Sequence, residues 1–362
     1  MAGKLKIGII GCGGIARQKH LPALSKLSAK CEIVAFCDII EERAISAQKE
    51  FGTPGSRTYT DYHELLKDES IDVVHVLTPN VAHAPITIDA FAAGKHVMCE
   101  KPMAHNTEMA AQMMDAWKKS GKMFTIGYQN RFNPILQSLY ATCNDGYLGD
   151  IYFAKAHAVR RRAVPTWGVF QDKSKQGGGP LIDIGTHALD MTLWCMNNYE
   201  PMSVSGTWFH KMADQTDGNM FGPWDPKTFD VEDSAFGLIK MKNGASIYLE
   251  SSWVLNITKP KEIATTLCGT KGGAEADLVR EELIYNHARN GQLTEETISR
   301  NGAVSYFEGS RVNPGEVEAE QWINAILKGT QPLVKPEQAF TVTKILDAIY
   351  KSAQSGKEFF FE

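Results

Sequence analysis

Short runs rich in Val and Ile alternate with amphipathic stretches throughout residues 4–127, and this alternation constrains the fold more than any other feature of the chain. The pattern is typical of strands joined by crossover helices in a parallel sheet. We predict strands at 6–10, 32–38, 72–77, 96–99 and 123–127 and helices at 15–27, 41–51, 82–93 and 107–120. Residues 1–127 are therefore predicted to form a doubly wound α/β domain.

The pattern changes after about residue 130 to longer alternating segments, which indicate an α+β domain with a large, mostly antiparallel open sheet over residues 128–362. The clearest predicted strands are 151–159, 202–209, 234–241, 245–252 and 263–268. Helices are predicted at 181–195, 316–328 and 337–355. The polar, glycine-containing segment 211–227 is predicted to be the longest loop.

Composition narrows the class of function. A chain of 362 residues with 43% hydrophobic content can fill two cores, and a net charge of −4 with scattered basic residues argues against binding nucleic acid. The seven cysteines form no CxxC pair and the ten histidines no HExxH motif, so we expect neither a disulfide framework nor a metal site. With no predicted signal peptide or membrane span, a cytoplasmic location is expected.

A glycine-rich turn follows the first predicted strand directly. It reads Gly11-Cys12-Gly13-Gly14-Ile15-Ala16 and matches GxGxxA at the start of a predicted helix. Gly11 allows the tight turn, Gly13 lets the backbone approach a pyrophosphate, and the helix N-terminus favours the phosphates. This context predicts a Rossmann domain that binds a dinucleotide.

Asp38 ends the second predicted strand about 20 residues further on, where an acidic side chain can bind the ribose hydroxyls. The same carboxylate would repel the extra phosphate of NADP, and the next arginine is Arg43. The sequence therefore favours NAD over NADP. The alternative interpretation is that Asp38 only caps the helix predicted at 41–51.

Two further segments should reach the same edge of the sheet, because the carboxyl ends of parallel strands lie together. They are Leu77-Thr78-Pro79-Asn80 and Glu100-Lys101-Pro102, while His83 is as suited to packing as to touching a ligand. The predicted cofactor-binding residues are Gly11, Gly13, Gly14, Ile15, Asp38, Thr78, Pro79, Asn80, His83, Glu100 and Lys101.

Taken together, the glycine turn, Asp38, LTPN, EKP, the segment GYQNRF at 127–132 and GGGPLIDIGTHALD at 177–190 resemble the Gfo/Idh/MocA oxidoreductase family over nearly the whole chain. In that family, the lysine of EKP and the Asp and His of a DxGxHxxD segment surround the reacting hydroxyl. The resemblance therefore implies that Lys101, Asp183 and His187 are catalytic, and that the substrate is a pyranose sugar, a cyclitol or a glycoside, including glycosides oxidised at the third carbon. A tightly bound NAD would be compatible with the oxidation of glycosides at this carbon.

Elementary chemistry fits these roles. Asp183 and His187 are four residues apart and share a helix face. Oxidation of an alcohol releases a proton that a histidine can take, and the Lys101 ammonium can stabilise the developing negative charge. Whether Lys101 or His187 formally takes the proton stays open, and a simple helix ion pair is the structural alternative.

Substrate contacts are predicted from the segment between the strand at 151–159 and the catalytic helix. At least one of Arg160, Arg161 and Arg162 should face solvent, because alternate residues of a strand point to opposite faces. We predict substrate contacts for Arg162 and Trp167, since guanidinium groups bind hydroxyls and an indole stacks on a sugar ring. The predicted substrate residues are Tyr128, Gln129, Arg162, Trp167, Asp183 and His187. Trp224 and Trp253 are predicted to lie in the core or an interface.

Two other functions are compatible with the sequence. One is a redox-neutral glycosidase that oxidises, eliminates, hydrates and re-reduces with one bound NAD; the other is a nonenzymatic sensor that binds dinucleotide. The sensor is disfavoured by the intact Lys101, Asp183 and His187. Because an open antiparallel sheet leaves a face uncovered, a homo-oligomer, dimer or tetramer, is also predicted.

Overall fold

The computed structural model describes residues 3–299 and 313–362, which divide into two compact units. The first unit holds the residues up to Gln129 together with 313–340, and the second holds 130–299 and 341–362. Within the described residues, no helix is long and apolar enough to cross a bilayer.

The helices and strands of the described residues are numbered in chain order. The strands are β1 Leu5–Ile10, β2 Cys31–Cys37, β3 Arg57–Tyr59, β4 Val73–Val76, β5 His96–Cys99, β6 Phe124–Ile126, β7 Ile151–Val159, β8 Pro201–Phe209, β9 Ser234–Met241, β10 Ser246–Ser252, β11 Glu262–Gly269, β12 Gly273–Asp277, β13 Glu282–Arg289, β14 Gln292–Ser299 and β15 Phe359–Phe360. The α-helices are α1 Leu21–Ser25, α2 Glu41–Phe51, α3 Tyr62–Leu66, α4 His83–Ala92, α5 Thr107–Ser120, α6 Pro134–Asn144, α7 Lys173–Gln176, α8 Thr186–Met196, α9 Pro314–Lys328 and α10 Pro336–Ser355. Two π-helical turns, Ala16–His20 and Leu181–Gly185, directly precede α1 and α8.

The first unit is built on a parallel sheet with strand order β3-β2-β1-β4-β5-β6. This is the order of a dinucleotide-binding doubly wound sheet, so the predicted fold class is confirmed. The order reverses between β1 and β4, where the carboxyl ends of the strands open a crevice for a ligand. The short strand β3 is an addition to the predicted strands, because Arg-Thr-Tyr carries no apolar run.

The core of the first unit includes a helix from far along the chain. Ile7, Ile9 and Phe36 are fully buried and belong to one apolar cluster with Trp322 and Ile323 of α9. The sequence pattern predicted this helix and assigned it to the second domain. The structure instead packs its apolar face on the parallel sheet.

The second unit is built on a nine-stranded sheet with order β14-β13-β12-β11-β7-β10-β9-β8-β15. Among the described strands of this second sheet, only β7 and β10 pair in parallel, and the other neighbours pair antiparallel. The predicted strands of this domain are present, and β12 to β15 extend the sheet. The segment 211–227 is irregular until a 3₁₀ turn begins at Pro226, which confirms the predicted loop.

Candidate active site

The glycine turn has the geometry that a dinucleotide requires. Gly11 has a φ of +95°, and a Cβ at this position would lie 2.5 Å from the carbonyl oxygen of Leu77, so no other residue fits. A Cβ on Gly13 or Gly14 would meet no atom within 4 Å. The backbone after Gly11 is therefore bare on the side where a pyrophosphate would approach.

Asp38 fixes this turn from the end of β2. Its Oδ2 accepts a hydrogen bond from the backbone N–H of Cys12 at 2.9 Å, and its Oδ1 accepts one from Ile40 at 2.9 Å. The N-cap of α2 is Ile40 and has no side-chain cap, so Asp38 braces the residue before the helix without capping the helix itself. Ile39 beside it is 89% exposed.

His83 joins the two other predicted cofactor segments. Its Nδ1 lies 2.8 Å from the carbonyl oxygen of Pro102 and its Nε2 2.9 Å from that of Thr78. Burial lowers the pKa of His83, although both carbonyl contacts oppose this change. The ring thus holds the LTPN segment against the turn after Lys101. The hydroxyl of Thr78 is buried and has no hydrogen-bond partner in the described part of the chain.

Glu100 lies at the centre of a largely buried group of polar and charged side chains, which we call the Lys19 cluster: Lys19, His20, Glu100, Gln129 and Glu318. Lys19 Nζ lies 2.7 Å from Glu100 Oε1, 2.7 Å from Glu318 Oε2 and 3.1 Å from Gln129 Oε1. His20 Nε2 is 2.8 Å from the same Glu100 oxygen. Glu100 is 4% and Glu318 3% exposed, so these charges interact with little screening by water.

The pKa values in the cluster follow from burial and from the shared ammonium group. Burial alone would raise the pKa of Glu100, but Lys19 and His20 hold it well below its usual value. Burial would lower the pKa of Lys19, yet Glu100 and Glu318 raise it. The pKa of Glu318 is raised to about 7, chiefly by burial and partly by Glu100, against the opposing attraction of Lys19.

Asp183 and His187 lie in the second unit, where the π-helical turn Leu181–Gly185 leads directly into α8. Four residues make nearly one turn of either helix type, so both side chains leave the helix on one side. Asp183 Oδ2 accepts a hydrogen bond from Trp253 Nε1 at 3.0 Å. His187 is 8% exposed, and π-helical turns of this kind are frequent at functional sites.

The glycine run before this helix serves close packing. A Cβ on Gly178 would collide with the Tyr350 hydroxyl, and one on Gly179 with the carbonyl oxygen of Glu232. The buried Glu232 carboxylate accepts hydrogen bonds from Gly179 N–H at 2.8 Å, from Leu181 N–H at 3.2 Å and from the Tyr350 hydroxyl at 2.7 Å. Burial raises the pKa of Glu232. This carboxylate anchors the start of the segment that carries Asp183 and His187.

The predicted substrate residues occupy different environments. Arg162 donates to the Gln215 carbonyl oxygen at 3.0 Å and to Asn256 Oδ1 at 3.2 Å, which ties it to the loop 211–227. Trp167 is 52% exposed and makes an edge-to-face contact with Phe221, with the ring centroids 4.7 Å apart. The indole is therefore open to a ligand, whereas the guanidinium already has protein partners.

The two predicted substrate residues of the first unit are already engaged in the fold. Tyr128 is fully buried, and the Gln129 side-chain oxygen accepts a hydrogen bond from Lys19. Trp253 and Trp224 are buried, as the sequence predicts. The hydrogen bond from Trp253 to Asp183 was not predicted, nor were the contacts of Lys19, Glu318 and Glu232, because each joins residues far apart in the chain.

Two family models cover most of the chain. Residues 5–128 match the NAD-binding Rossmann fold of the Gfo/Idh/MocA oxidoreductase family, and residues 143–359 match its C-terminal alpha/beta domain. The fold and site thus define an NAD-binding, two-domain oxidoreductase. The chain belongs to the Gfo/Idh/MocA family.

Named relatives narrow the comparison. The chain is 35% identical to D-glucoside 3-dehydrogenase of Escherichia coli (strain K12), with 97% of this chain and 96% of the relative covered. It is 28% identical to levoglucosan dehydrogenase of Pseudarthrobacter phenanthrenivorans, with 96% of each chain covered. A solved structure of levoglucosan dehydrogenase with NADH and levoglucosan matches the fold with a TM-score of 0.83 at 24% identity, covering 99% of each chain.

Proposed function

We propose that this protein is an NAD-dependent dehydrogenase that transfers a hydride between nicotinamide and a secondary hydroxyl of a pyranose sugar, a cyclitol or a glycoside. The observation that carries the proposal is the similarity to D-glucoside 3-dehydrogenase over nearly the full length of both chains. It favours a glycoside oxidised at the third carbon of its ring as the substrate. Oxidation gives a keto sugar, NADH and one proton.

The cofactor-binding residues fit a dinucleotide. The open backbone at Gly13 and Gly14 suits a pyrophosphate, and a bound cofactor would supply the partner that the buried Thr78 hydroxyl lacks. Ile15, Pro79 and Asn80 belong to the same two turns and complete the proposed contacts. His83 and Glu100 support these turns through protein contacts.

Each catalytic side chain has a proposed task. The bound dinucleotide supplies the hydride acceptor. His187 takes the hydroxyl proton, and the Lys101 ammonium holds the hydroxyl oxygen and stabilises its developing negative charge. Asp183, which is oriented by the indole N–H of Trp253, positions His187 or binds a neighbouring hydroxyl.

Replacing Asp38 with Ala tests the preference for NAD. We expect the affinity for NAD to fall about tenfold, because one charge-assisted hydrogen bond to the ribose is lost. The affinity for NADP should fall less or rise, because the carboxylate that repels its extra phosphate is gone. Calorimetric titration of the purified variant with each dinucleotide measures the ratio of the NAD affinity to the NADP affinity. Since Asp38 also braces Cys12, a fall in both affinities by the same factor would assign it a structural role only.

Replacing Trp167 with Ala tests its proposed stacking on the sugar ring. We expect KM for the sugar to rise about tenfold with kcat little changed, because stacking binds the ground state and the transition state alike. Initial rates at saturating NAD measure both constants. Trp224→Phe, a change at a buried indole, controls for general effects of losing a tryptophan. An unchanged KM would remove Trp167 from the substrate site.

The proposed oligomer forms through the open face of the nine-stranded sheet. Along β9 the residues Ala235, Ile239 and Met241 are buried, whereas Leu238 on the opposite face is 40% exposed and flanked by the partly exposed Phe236. An uncovered apolar sheet face of this kind is commonly an interface. Light scattering should give a multiple of the 40.0 kDa chain mass; a monomer at micromolar concentration would contradict the proposal.

The activity itself is tested by mixing the protein and NAD with inositols, hexoses and aryl glycosides. Absorbance should show NADH, and mass spectrometry a product two hydrogens lighter than the sugar. Cleaved glycoside without NADH would favour the redox-neutral glycosidase. A protein that binds NAD but oxidises nothing in the panel would contradict the proposed dehydrogenase and favour a sensor.

A further inference from the structure

Lys19 connects four separate parts of the first unit through one ammonium group. It lies in the π-helical turn before α1, and its three hydrogen-bond acceptors are Glu100 after β5, Gln129 after β6 and Glu318 on α9. An ammonium group has three N–H donors, so all three are used. Only 9% of the side chain is exposed.

The Lys19 cluster is coupled to the backbone of Lys101. Glu100 receives Lys19 and His20 on its Oε1, and its other oxygen, Oε2, accepts a hydrogen bond from the backbone N–H of Lys101 at 3.0 Å. A rotation of the Glu100 carboxylate would therefore move or release Lys101. We propose that Lys19 and Glu318 are positioning residues, which hold Glu100 so that Lys101 is presented to the substrate. This inference rests on the proposed function, in which Lys101 is catalytic.

The local geometry suits this task. Lys19 and His20 are consecutive, yet both reach the same oxygen of Glu100 from a π-helical turn. Two contacts on one oxygen and one on the other leave the carboxylate little freedom to rotate. π-helical turns are frequent at functional sites.

A contribution to the stability of the fold does not explain why these charged groups are buried together. Burying an ion pair costs desolvation that its attraction hardly repays, and well-packed apolar residues are often as stable. In addition, Glu318 Oε1 is buried with no hydrogen-bond partner within the described residues. A chain under selection for stability alone would gain by replacing such groups, so precise placement of Glu100 is the better explanation.

The test uses a pair of double variants on the same two helical segments. Lys19→Met with Glu318→Gln removes the ammonium group of the cluster together with the carboxylate on α9 that pairs with it. Lys26→Met with Glu316→Gln removes an equivalent but exposed lysine–glutamate pair, 2.6 Å apart, which has no contact with Glu100. Each double variant loses one lysine–glutamate ion pair to α9. Only the cluster variant also loses a contact with Glu100, so a difference between the two variants reports on the position of Glu100 and not on the loss of an ion pair.

For the NAD-saturated cluster variant we expect kcat to fall about 10²-fold, the cost of a misplaced catalytic group, with KM for the sugar within a factor of about three. The surface variant should match the wild type. Equal kcat in the wild type and a folded cluster variant, or equal losses in both double variants, would overturn the proposal.

A second readout does not depend on turnover. Acetylation of the NAD-bound protein, followed by peptide mass spectrometry, measures how fast Lys101 reacts relative to the exposed Lys118. We expect Lys101 to react faster in the cluster variant than in the wild type and at the wild-type rate in the surface variant. If the wild type oxidises no sugar, the proposed function fails and this rate decides the positioning claim: an unchanged rate refutes it.

Discussion

Replacing Lys101 with Met is expected to lower kcat by about 10²- to 10³-fold, the usual loss when one group that stabilises a developing oxyanion is removed. Methionine is close in length to the apolar stem of lysine, and the change removes the ammonium group with its charge and its three N–H donors. The backbone N–H of residue 101 can still donate to Glu100. The loss should therefore appear in the chemical step and not in folding, and initial rates with saturating NAD and sugar measure it.

Lys118→Met is the matched control for this prediction. Lys118 lies in the last turn of α5, is exposed, and belongs to the same unit. We expect its kcat and KM to equal those of the wild type. A Lys101→Met enzyme that retains wild-type turnover would refute the catalytic role of Lys101.

Replacing Arg131 with Met is expected to destabilise the protein by about 3–5 kcal/mol, because it leaves a buried carboxylate without its partner. Arg131 Nε lies 3.0 Å and its Nη2 2.6 Å from the two oxygens of Asp190, and the two residues are 0% and 1% exposed. Burial already raises the pKa of Asp190, although Arg131 opposes the rise. Urea denaturation monitored by fluorescence measures the loss in the free energy of unfolding.

The pH dependence of this loss has a definite sign. Without Arg131 the folded-state pKa of Asp190 rises further above its unfolded value, so the folded state retains a proton that the unfolded state releases. The unfolding free energy of the variant then falls relative to the wild type as pH rises through that pKa, and the loss is smallest in acid. Lys4→Met, which breaks the exposed pair with Glu32, should cost below about 1 kcal/mol. Equal losses in both variants would refute the argument.

Local patterns predict much of this fold. The alternation in residues 4–127 predicts the parallel sheet because each strand there is a short apolar run between turn residues. It misses β3 because Arg57–Tyr59 is partly exposed and has no such run. It also predicts α9 as a helix without its location, since an apolar helix face does not specify which core it packs against.

The sequence likewise predicts only some of the residues of the candidate site. The glycine turn, Asp38 and the EKP segment are contiguous motifs with a local physical meaning, and the family resemblance supplies Lys101, Asp183 and His187. Contacts such as Trp253 with Asp183 or Lys19 with Glu318 depend on the tertiary fold. A lone lysine or tryptophan gives no local signal of such a partner. These supporting groups become visible only once the sheets are assembled.

The proposed reaction is direct hydride transfer from a sugar carbon to NAD. It is tested most directly with a glycoside that carries deuterium on the third carbon of its ring. The protein and unlabelled NAD should yield one deuterium per nicotinamide in the reduced cofactor and a keto sugar without the label, as read by mass spectrometry. Reduced cofactor free of deuterium, with a keto sugar at another carbon, would contradict oxidation at the third carbon; no reduced cofactor from any labelled sugar would contradict the dehydrogenase.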